Sequence, residues 1–292
     1  MKRILVPIGC RSDEGLSAPV IRRLREHFIV DLINLSPQNF GQSYDWIDRR
    51  ISLHENMEPY DLIFITGDRV EMCAAAAAAF HNKIKIAHFY AGIVNDPITT
   101  YDDVDRHCIT LWSDIQFCES VEAKEKATDI LRIAGLNHKM NAHIVGISHL
   151  DDLEVDESVL PHRPHEIYDL LLINHEINGK EKYSGLQSLK EYNFVWKNIV
   201  NYTVQIGGNP DGPIGQLGDV YEQNIPRPQF LGLLKNCQRF LTNSSTAVYE
   251  SPHFLRPEQI LMIGDRNKNR PRGPFKTGAS DRIVEILRVY LK

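Results

Sequence analysis

Three polar residues, Asn243, Ser244 and Ser245, stand where a short strand is predicted to end. The run RFLTN before them is apolar and short, and the residues from Thr246 onward favour a helix. A helix N-terminus offers unpaired N–H groups and a partial positive charge, and two serine hydroxyls add further donors. The triplet therefore predicts a phosphate-binding turn, although serine and asparagine are also ordinary helix caps.

A carboxylate and a basic loop follow the triplet. Glu250 lies one turn further along the predicted helix, and a carboxylate that accepts two vicinal hydroxyls is a standard way of holding a ribose. The next predicted strand, QILMIGD, leads into a loop that carries Arg266 and Arg270. Guanidinium groups there would neutralise a diphosphate, and the alternative is a solvated basic loop.

The elements that must position these residues alternate between strand and helix along the whole chain. The pattern is typical of parallel sheets covered on both faces, and it predicts an α/β fold with two Rossmann-like parallel-sheet domains facing a cleft. Predicted strands are KRILVPI, FIVDLINL, YDLIFIT, IKIAHF, DIQFC and HIVG, then YDLLLIN, YTVQI, RFLTN and QILMIG. Helices are predicted over 16–27, 44–57, 73–80, 186–198 and 228–234 and in the final SDRIVEILRVYL.

An acidic, proline-bearing segment interrupts the alternation and predicts the domain boundary. We expect an N-terminal Rossmann-like domain over residues 1–150, a linker over 151–165, a second Rossmann-like domain over 166–279 and a C-terminal helix over 280–292. Ligands bind at the carboxyl ends of strands in such domains, so polar residues at strand ends are the candidates for function.

Composition excludes several classes of function. The chain of 292 residues has a net charge of −5, which gives no global basic field for nucleic acid or an anionic membrane. No segment is long and apolar enough to predict a membrane span or a signal peptide. The five cysteines are odd in number and lack metal-ligand spacing, so we expect reduced thiols in a cytoplasmic protein.

With the strand ends aligned, the chain resembles the UDP-N-acetylglucosamine 2-epimerases, and the hydrolysing branch more than the non-hydrolysing one. The resemblance is carried in order by GCRSDEGLSAPVIRRL, DLIFITGDRVEMCAAAAAAF, IKIAHFYAGIV and YDDVDRHCITLWSDIQF, then by GGNPDG, LTNSSTAVYES and MIGDRNKNR. It implies the two-domain glycosyltransferase-B architecture, a sugar or acceptor side in the first domain and a UDP site in the second.

The resemblance also implies which residues bind UDP. Positions that bind UDP in relatives are occupied here by Arg11, His175, Asn209, Ser244, Ser245 and Glu250, and the loop position by Arg266 or Arg270. Arg69 and Asp211 join this set because they are polar residues at the same strand ends. A UDP-sugar is the expected partner, a homodimer is a further expectation, and no metal or other cofactor is implied because arginines neutralise the diphosphate.

The chemistry in the family is elimination of UDP to a 2-acetamidoglucal, followed by addition of water with C2 inverted. Such a reaction needs a base for the C2 proton and an acid for an oxygen. Asp68 matches one family carboxylate and Asp102 or Asp103 another, with Arg106 and His107 one helical turn further on.

One position departs from the family. Tyr90 stands where the family has the glutamate of a His-x-Glu motif, and Ile93 stands where the hydrolysing branch carries an acidic residue. A phenol has a reference pKa of about 10 and is a poor base at neutral pH. The candidate catalytic residues are therefore Asp68, Asp102, Asp103, His107 and Tyr90.

Three hypotheses remain open at this stage. The first is a variant 2-epimerase, which the resemblance along the chain favours. The second is a glycosyltransferase that passes the sugar of a UDP-sugar to an acceptor hydroxyl and needs only one base, such as Asp68 or Asp102. The third is a nucleotide-sugar sensor without catalysis, which the number of retained polar residues disfavours.

Overall fold

The structure, a computed structural model, describes residues 1–9, 11–35, 39–52, 59–93, 101–158, 167–174, 176–178, 181–183, 189–198, 201–207, 216–222, 225–264, 267, 270 and 273–292. Contacts divide the chain into two compact units. Unit 1 contains Met1–Val94, Tyr101–Asp151 and Phe275–Lys292, and unit 2 contains Asp152–Pro274. The C-terminal helix thus belongs to unit 1, while the boundaries 150 and 166 drawn from the sequence stay predictions.

Unit 1 is built on one parallel sheet. Its strands are β1 (Arg3–Ile8), β2 (Ile29–Asn34), β3 (Leu62–Thr66), β4 (Lys85–Phe89), β5 (Ile115–Cys118) and β6 (Ala142–Ile144). They lie in the order β2-β1-β3-β4-β5-β6. The helices α1 (Arg11–Leu24), α2 (Phe40–Ser52), α3 (Val70–His81), α4 (Tyr101–Trp112) and α5 (Val121–Ile133) connect them.

Burial explains why these segments adopt these elements. All residues of β3 and all but the first of β4 are buried, as expected for central strands covered on both faces. The six alanines Ala74–Ala79 of α3 are buried as well, because a helix with methyl side chains can lie close to the sheet and to α2. The alanine run thus explains how closely this helix packs.

Unit 2 has a second parallel sheet. In chain order its strands are β7 (Tyr168–Ile173), the antiparallel pair β8 (Glu176–Asn178) and β9 (Glu181–Tyr183), β10 (Tyr202–Gly207), β11 (Val220–Glu222), β12 (Arg239–Thr242) and β13 (Ile260–Met262). The parallel sheet has the order β11-β10-β7-β12-β13. Its helices are α6 (Leu189–Asn198), α7 (Arg227–Asn236) and the short α8 (Thr246–Tyr249). The predicted class, with two Rossmann-like parallel sheets, is confirmed.

Each sheet has a point where the strand order reverses, and crevices for ligands form there at the carboxyl ends of the strands. In unit 1 this point lies between β1 and β3, so the chain leaving Thr66 enters it. In unit 2 it lies between β7 and β12, where Asn174 and Asn243 follow their strands. The topology thus indicates two segments as candidates for ligand binding, the one beginning at Gly67 and the triplet beginning at Asn243.

Two local expectations about helices were wrong in detail. The helix after Ser245 has four residues and passes into a single 3-10 turn, so its dipole is much weaker than that of the longer helix the sequence indicated. The helix α1 begins at Arg11, whereas the sequence predicted a start at residue 16. Within the described residues, no helix is long and apolar enough to cross a membrane.

The final helix, α9 (Ala279–Tyr290), is anchored to unit 1 by a buried carboxylate. Asp151 accepts hydrogen bonds from the backbone N–H of Gly278, from the N–H of Ser280 at 2.8 Å and from the Ser280 hydroxyl at 2.7 Å. These N–H groups lie at the start of the helix, where a negative charge is most favourable. One side chain therefore joins the end of the β6 loop to the returning C-terminus.

Asp151→Ala removes all three acceptor contacts. Because hydrogen bonds to a buried charge are strong, we expect the free energy of unfolding to fall by about 2–4 kcal/mol in urea denaturation. Asp129→Ala is the matched control, since Asp129 pairs with Arg132 on an exposed surface. It should change stability by less than about 0.5 kcal/mol. Equal effects of the two substitutions would contradict the anchoring role.

Candidate functional site

Asp68 lies just beyond β3, at the reversal point of the first sheet, and is held by Arg106. The Arg106 guanidinium donates to the Asp68 carboxylate through Nη2 and to the backbone carbonyl of Tyr90 through Nη1 at 2.5 Å. Arg106 is buried in the second turn of α4, and the side chain of Asp68 is only 18% exposed. One buried cation thus fixes a carboxylate and the end of the neighbouring strand β4 together.

His88 fixes the turn that precedes Asp68. It is fully buried on β4, and its Nε2 lies 2.9 Å from the carbonyl oxygen of Gly67. Because a carbonyl oxygen can only accept, Nε2 carries a proton and donates it to Gly67. Its Nδ1 lies 3.2 Å from the Thr110 hydroxyl, which also lies within donating distance of the Arg106 carbonyl. Burial lowers the pKa of His88 to about 3, so the imidazole is neutral and acts by positioning.

Tyr90 adopts a left-handed backbone conformation with φ of 65°, which is rare for an aromatic residue. Such strain clusters at functional sites, where the surroundings hold it in place. The turn continues through Gly92, with φ of 83°, where a Cβ would meet the Ala123 carbonyl oxygen at 2.0 Å. The backbone of this turn therefore accommodates only glycine at its third residue.

The Tyr90 side chain is almost fully buried, at 3% exposure, and its hydroxyl contacts the loop after β6. The hydroxyl oxygen lies 2.8 Å from His149 Nδ1 and 3.3 Å from Ser148 Oγ, and it accepts the Ser148 N–H at 3.2 Å. The ring of His149 meets that of Tyr90 edge to face at 5.4 Å. Tyr90 therefore joins the end of β4 to the segment after β6.

The predicted acidic pair on α4 is split between interior and surface. Asp103 is fully buried, whereas Asp102 is only partly buried. His107 is partly buried one turn from Asp103; burial lowers its pKa, the Lys126 and Arg106 charges lower it further, and Asp103 opposes them. Asp103 and Arg106 thus lie on the inner face of the helix, and the four polar residues do not share one environment.

Arg69, predicted to bind UDP, makes an ion pair on its own helix. Its Nε and Nη2 both lie 3.3 Å from the carboxylate of Glu71, which is buried in the first turn of α3. The guanidinium is about one third exposed. The contact to Glu71 orients Arg69 at the helix start next to Asp68.

In unit 2, three asparagines connect the strand ends at the reversal point. The Asn243 side chain accepts the backbone N–H of Asn174 at 2.7 Å and donates to the Asn174 carbonyl at 2.9 Å. Asn267 donates to the Asn243 carbonyl at 2.7 Å and is buried. The amides therefore fix the chain just before His175 to the chain just before Ser244.

Ser244 and Ser245 lie at this edge, but the N–H of Ser244, one of the donors expected to bind a phosphate, already makes a hydrogen bond within the loop. The Ser244 N–H donates to the Thr242 hydroxyl at 2.9 Å, and the Thr246 N–H donates to Ser244 Oγ at 3.3 Å. Glu250 ends α8, is buried, and pairs with Arg227. The predicted ribose acceptor thus makes an ion pair with a guanidinium on α7.

Several predicted residues lie outside what the structure describes. The positions of His175, Asn209, Asp211 and Arg266 are outside the described residues, and for Arg11 only the backbone is described. Arg270 is described; its Nε is buried without a hydrogen-bond partner among the described residues. Within those residues, no group of three or more metal-ligating side chains is found.

Sequence reasoning missed the residues that hold the site together. Arg106 was noted only as a helical neighbour of the acidic pair, and Asn174, Asn267, Ser148 and His149 were not singled out. Asn174 adjoins the predicted His175, and Ser148 and His149 follow the predicted strand HIVG, so their strand-end positions were the available signal.

Comparison with known proteins gives independent evidence on the family that the chain resembles. The sequence model of the UDP-N-acetylglucosamine 2-epimerase family matches residues 38–176. The resemblance to the UDP-N-acetylglucosamine 2-epimerases is confirmed. The matched segment includes Asp68, Tyr90 and Arg106.

Individual relatives are distant. The chain is 23% identical over 233 residues to the GDP/UDP-N,N'-diacetylbacillosamine 2-epimerase (hydrolyzing) of Campylobacter jejuni, covering 75% of this chain and 59% of that protein. It is 24% identical to the UDP-N-acetylglucosamine 2-epimerase of Neisseria meningitidis, covering 94% of this chain and 82% of that protein. The alignment with the Campylobacter protein thus spans less than two thirds of that relative.

Solved structures match the fold along the whole chain. A co-structure of S. aureus MnaA with UDP aligns with a TM-score of 0.75 at 16% identity, covering 100% of this chain and 97% of that one. The Neisseria meningitidis UDP-GlcNAc 2-epimerase bound to UDP-GlcNAc aligns with a TM-score of 0.69 at 15% identity, covering 98% and 100%. At these identities the comparison establishes the fold.

His88 makes stability depend on pH in a defined direction. Its pKa is about 3 in the folded protein and about 6.5 in the unfolded chain, so the unfolded chain binds the proton first as the pH falls. As the pH falls from 6.5 to 5.5, this difference should lower the free energy of unfolding of the wild type by about 1 kcal/mol. Because His88→Gln lacks the titrating group, its free energy of unfolding should fall by about 1 kcal/mol less than that of the wild type over the same range.

Urea denaturation of both proteins at the two pH values measures the difference. His138→Gln, at an exposed histidine, is the control and should follow the wild type. Identical pH slopes for wild type and His88→Gln would contradict a neutral, buried His88.

Proposed function

We propose that this protein is a UDP-sugar 2-epimerase of the hydrolysing type, which eliminates UDP and adds water with inversion at C2. The observation that carries the proposal is the Asp68–Arg106–Tyr90 arrangement at the reversal point of the first sheet. It supplies a fixed carboxylate at the edge where ligands bind in this fold. The match of the family to residues 38–176 supports the same reaction.

Arg106 determines what Asp68 can do. The Arg106 guanidinium contacts the Asp68 carboxylate and fixes its position at the edge of the sheet. The carboxylate then suits the orientation of a sugar hydroxyl and the stabilisation of positive charge at C1 as the C1–O bond breaks. Asp102, Asp103 and His107 remain proposed as further polar groups of this site on α4.

The nucleotide is proposed to bind unit 2, with its diphosphate near Ser244, Ser245 and Arg270 and its ribose on Glu250. The asparagine contacts that fix this edge support the placement, because a rigid turn holds its donors without an ordering cost on binding. A solved relative was determined with UDP and another with UDP-GlcNAc. Arg11, Arg69, His175, Asn209, Asp211 and Arg266 complete the proposed set.

We further propose catalysis without a metal and a location in the cytoplasm. Arginine can neutralise a diphosphate through bidentate hydrogen bonds, which supports the first point. Reduced thiols support the second, since Cys73, Cys108, Cys118 and Cys237 are unpaired. A homodimer is also proposed.

The reaction is tested by incubating the protein with UDP-GlcNAc in D2O. Elimination breaks the C2–H bond, so free UDP should form without any acceptor and N-acetylmannosamine should carry deuterium at C2. Asp68→Asn should lower the rate by about a hundredfold or more, since it removes the charge that Arg106 holds. Adding a metal chelator to the same reaction should leave the rate unchanged, because catalysis is proposed to need no metal.

Two results would oppose this function. Turnover that depends on an added hydroxyl acceptor and leaves hydrogen at C2 would establish glycosyl transfer. UDP binding without turnover of any UDP-sugar would establish a sensor.

The nucleotide site is tested with Glu250→Ala. Losing a charged acceptor for ribose hydroxyls should cost roughly 1.5–3 kcal/mol, or about ten- to a hundredfold in UDP affinity by calorimetry. Arg227, which is 38% exposed, can be solvated when its partner is removed. Glu157→Ala removes another carboxylate of unit 2, paired with Lys235 on the surface, and should leave affinity unchanged. Unchanged affinity in a folded Glu250→Ala protein would place the ribose elsewhere.

A further inference from the structure

We infer that Asp105 is the acid that delivers the proton to C2 when water adds to the unsaturated sugar. The inference rests on the proposed function and goes beyond it, because it assigns the second proton transfer to a residue outside the candidate catalytic set. Its starting point is the stereochemistry of the reaction. Inversion at C2 means that the proton leaves one face of the sugar ring and arrives at the other, so removal and delivery call for two different groups.

Asp105 lies on α4 directly before Arg106, the residue that contacts Asp68. The helix α4 packs against α3, and Asp105 faces α3, because its carboxylate interacts with the thiol of Cys73 through a hydrogen bond. Cys73 lies in the first turn of α3, which begins shortly after Asp68. Both helices follow parallel strands and start at the carboxyl edge of the sheet, where ligands bind in this fold. Asp105 is thus held near Asp68 from two helices.

The polar groups around Asp105 come from both helices and from the loop after β3. Two carboxylates act on it by their charge, Asp68 and Glu71. The thiol of Cys73 meets it from α3, and that of Cys108 lies one turn further along its own helix. The Asp105 side chain is only partly buried. A carboxyl group with this exposure can meet a substrate at the edge of the sheet and exchange its proton with water.

These surroundings suit a carboxyl group that binds a proton more readily than an exposed one. Burial raises the pKa of Asp105 above its ordinary value of 3.8, and the charges of Asp68 and Glu71 raise it further. The hydrogen bond with Cys73 lowers the pKa, because it stabilises the carboxylate. A carboxyl group whose pKa is raised by its environment, beside a second carboxyl group, is typical of a general acid.

The step balances in atoms and electrons. Once UDP has left with the electrons of the C1–O bond, the sugar holds a double bond between C1 and C2. The electrons of that double bond take the proton of Asp105 to form the new C2–H bond. The oxygen of water bonds to C1, and this water loses a proton to solvent. Asp105 is then a carboxylate and takes a proton from solvent before the next turnover, so in D2O it delivers deuterium to C2.

The first test measures the proton on Asp105 without any substrate. In a carbon-detected NMR titration of the side-chain carboxyl groups of the whole protein, the Asp105 signal is assigned by its loss in Asp105→Asn. Its pKa should lie above 3.8 in the wild type. It should fall in Glu71→Gln, which removes a negative charge, and rise in Cys73→Ala, which removes the hydrogen bond to the carboxylate. A wild-type pKa at or below 3.8 would overturn the inference.

The second test measures the products formed from UDP-GlcNAc. Asp105→Asn keeps the size of the side chain but has no acidic proton, so elimination should continue while the addition of water slows. UDP should form while 2-acetamidoglucal accumulates, and the yield of N-acetylmannosamine per UDP should fall by about a hundredfold or more. Asp129→Asn is the matched control, since Asp129 pairs with Arg132 on an exposed surface, and it should give the wild-type yield.

The pH profile separates a proton donor from a structural residue. The rate of N-acetylmannosamine formation should fall as the pH rises through the pKa of Asp105, because only the protonated group can deliver to C2. This descending limb should move to higher pH in Cys73→Ala and to lower pH in Glu71→Gln, whose amide oxygen can still accept from Arg69. A limb that both variants leave in place would overturn the assignment, and this holds even where Asp105→Asn does not fold.

The outcomes separate the two proposals. If the wild type labels C2 and a folded Asp105→Asn gives N-acetylmannosamine in the wild-type yield, Asp105 is not the acid and the epimerase assignment stands. If that variant forms neither UDP nor 2-acetamidoglucal, Asp105 acts before the addition of water and the assigned step is wrong. If the wild type releases no UDP and labels nothing, the proposed function fails and the assignment of Asp105 falls with it.

Discussion

The buried guanidinium of Arg106 is the interaction on which the candidate site depends. It contacts the Asp68 carboxylate and the Tyr90 carbonyl, and both lie at the carboxyl edge of one sheet. Removing one partner of a buried ion pair commonly costs about 3–5 kcal/mol, because the other charge is left without compensation. The ion pair therefore fixes the positions of the ends of β3 and β4 relative to α4.

The two units fix the ends of their strands with different side-chain interactions. Unit 1 fixes its strand ends with a buried ion pair and a neutral histidine, whereas unit 2 uses the side-chain amide of Asn243, which bonds to the backbone of Asn174. An amide carries no net charge, so these contacts fix the edge without adding charge to it. That difference suits the roles proposed for the two units, which are charge stabilisation in unit 1 and anion binding in unit 2.

The fold followed closely from the sequence. Compact β-rich runs such as YDLIFIT became buried central strands, and the alanine run of α3 became a closely packed helix. Here local propensity and burial favour the same element, so pattern alone suffices. The short strands β8, β9 and β11 were missed, because three residues carry too little periodicity to distinguish a strand from a loop.

The site was less predictable because its geometry depends on tertiary contacts. The residue types Asp68, Ser244 and Glu250 could be selected at strand ends, but nothing local shows that Tyr90 has a positive φ or that its hydroxyl meets His149. The helix after Ser245 was expected to continue past Val248 but ends at Tyr249, and Pro252 in the following 3-10 turn is a local signal for this end that the sequence reasoning did not use.

A double-mutant cycle on UDP release from UDP-GlcNAc tests whether Asp68 and Arg106 act as one unit. The rates of Asp68→Asn, Arg106→Gln and the double variant are compared with wild type after each is shown to be folded. Residues that act together are strongly non-additive, so the double variant should be no slower than the slower single variant. Losses that multiply would show that the two side chains contribute independently, and would contradict the account.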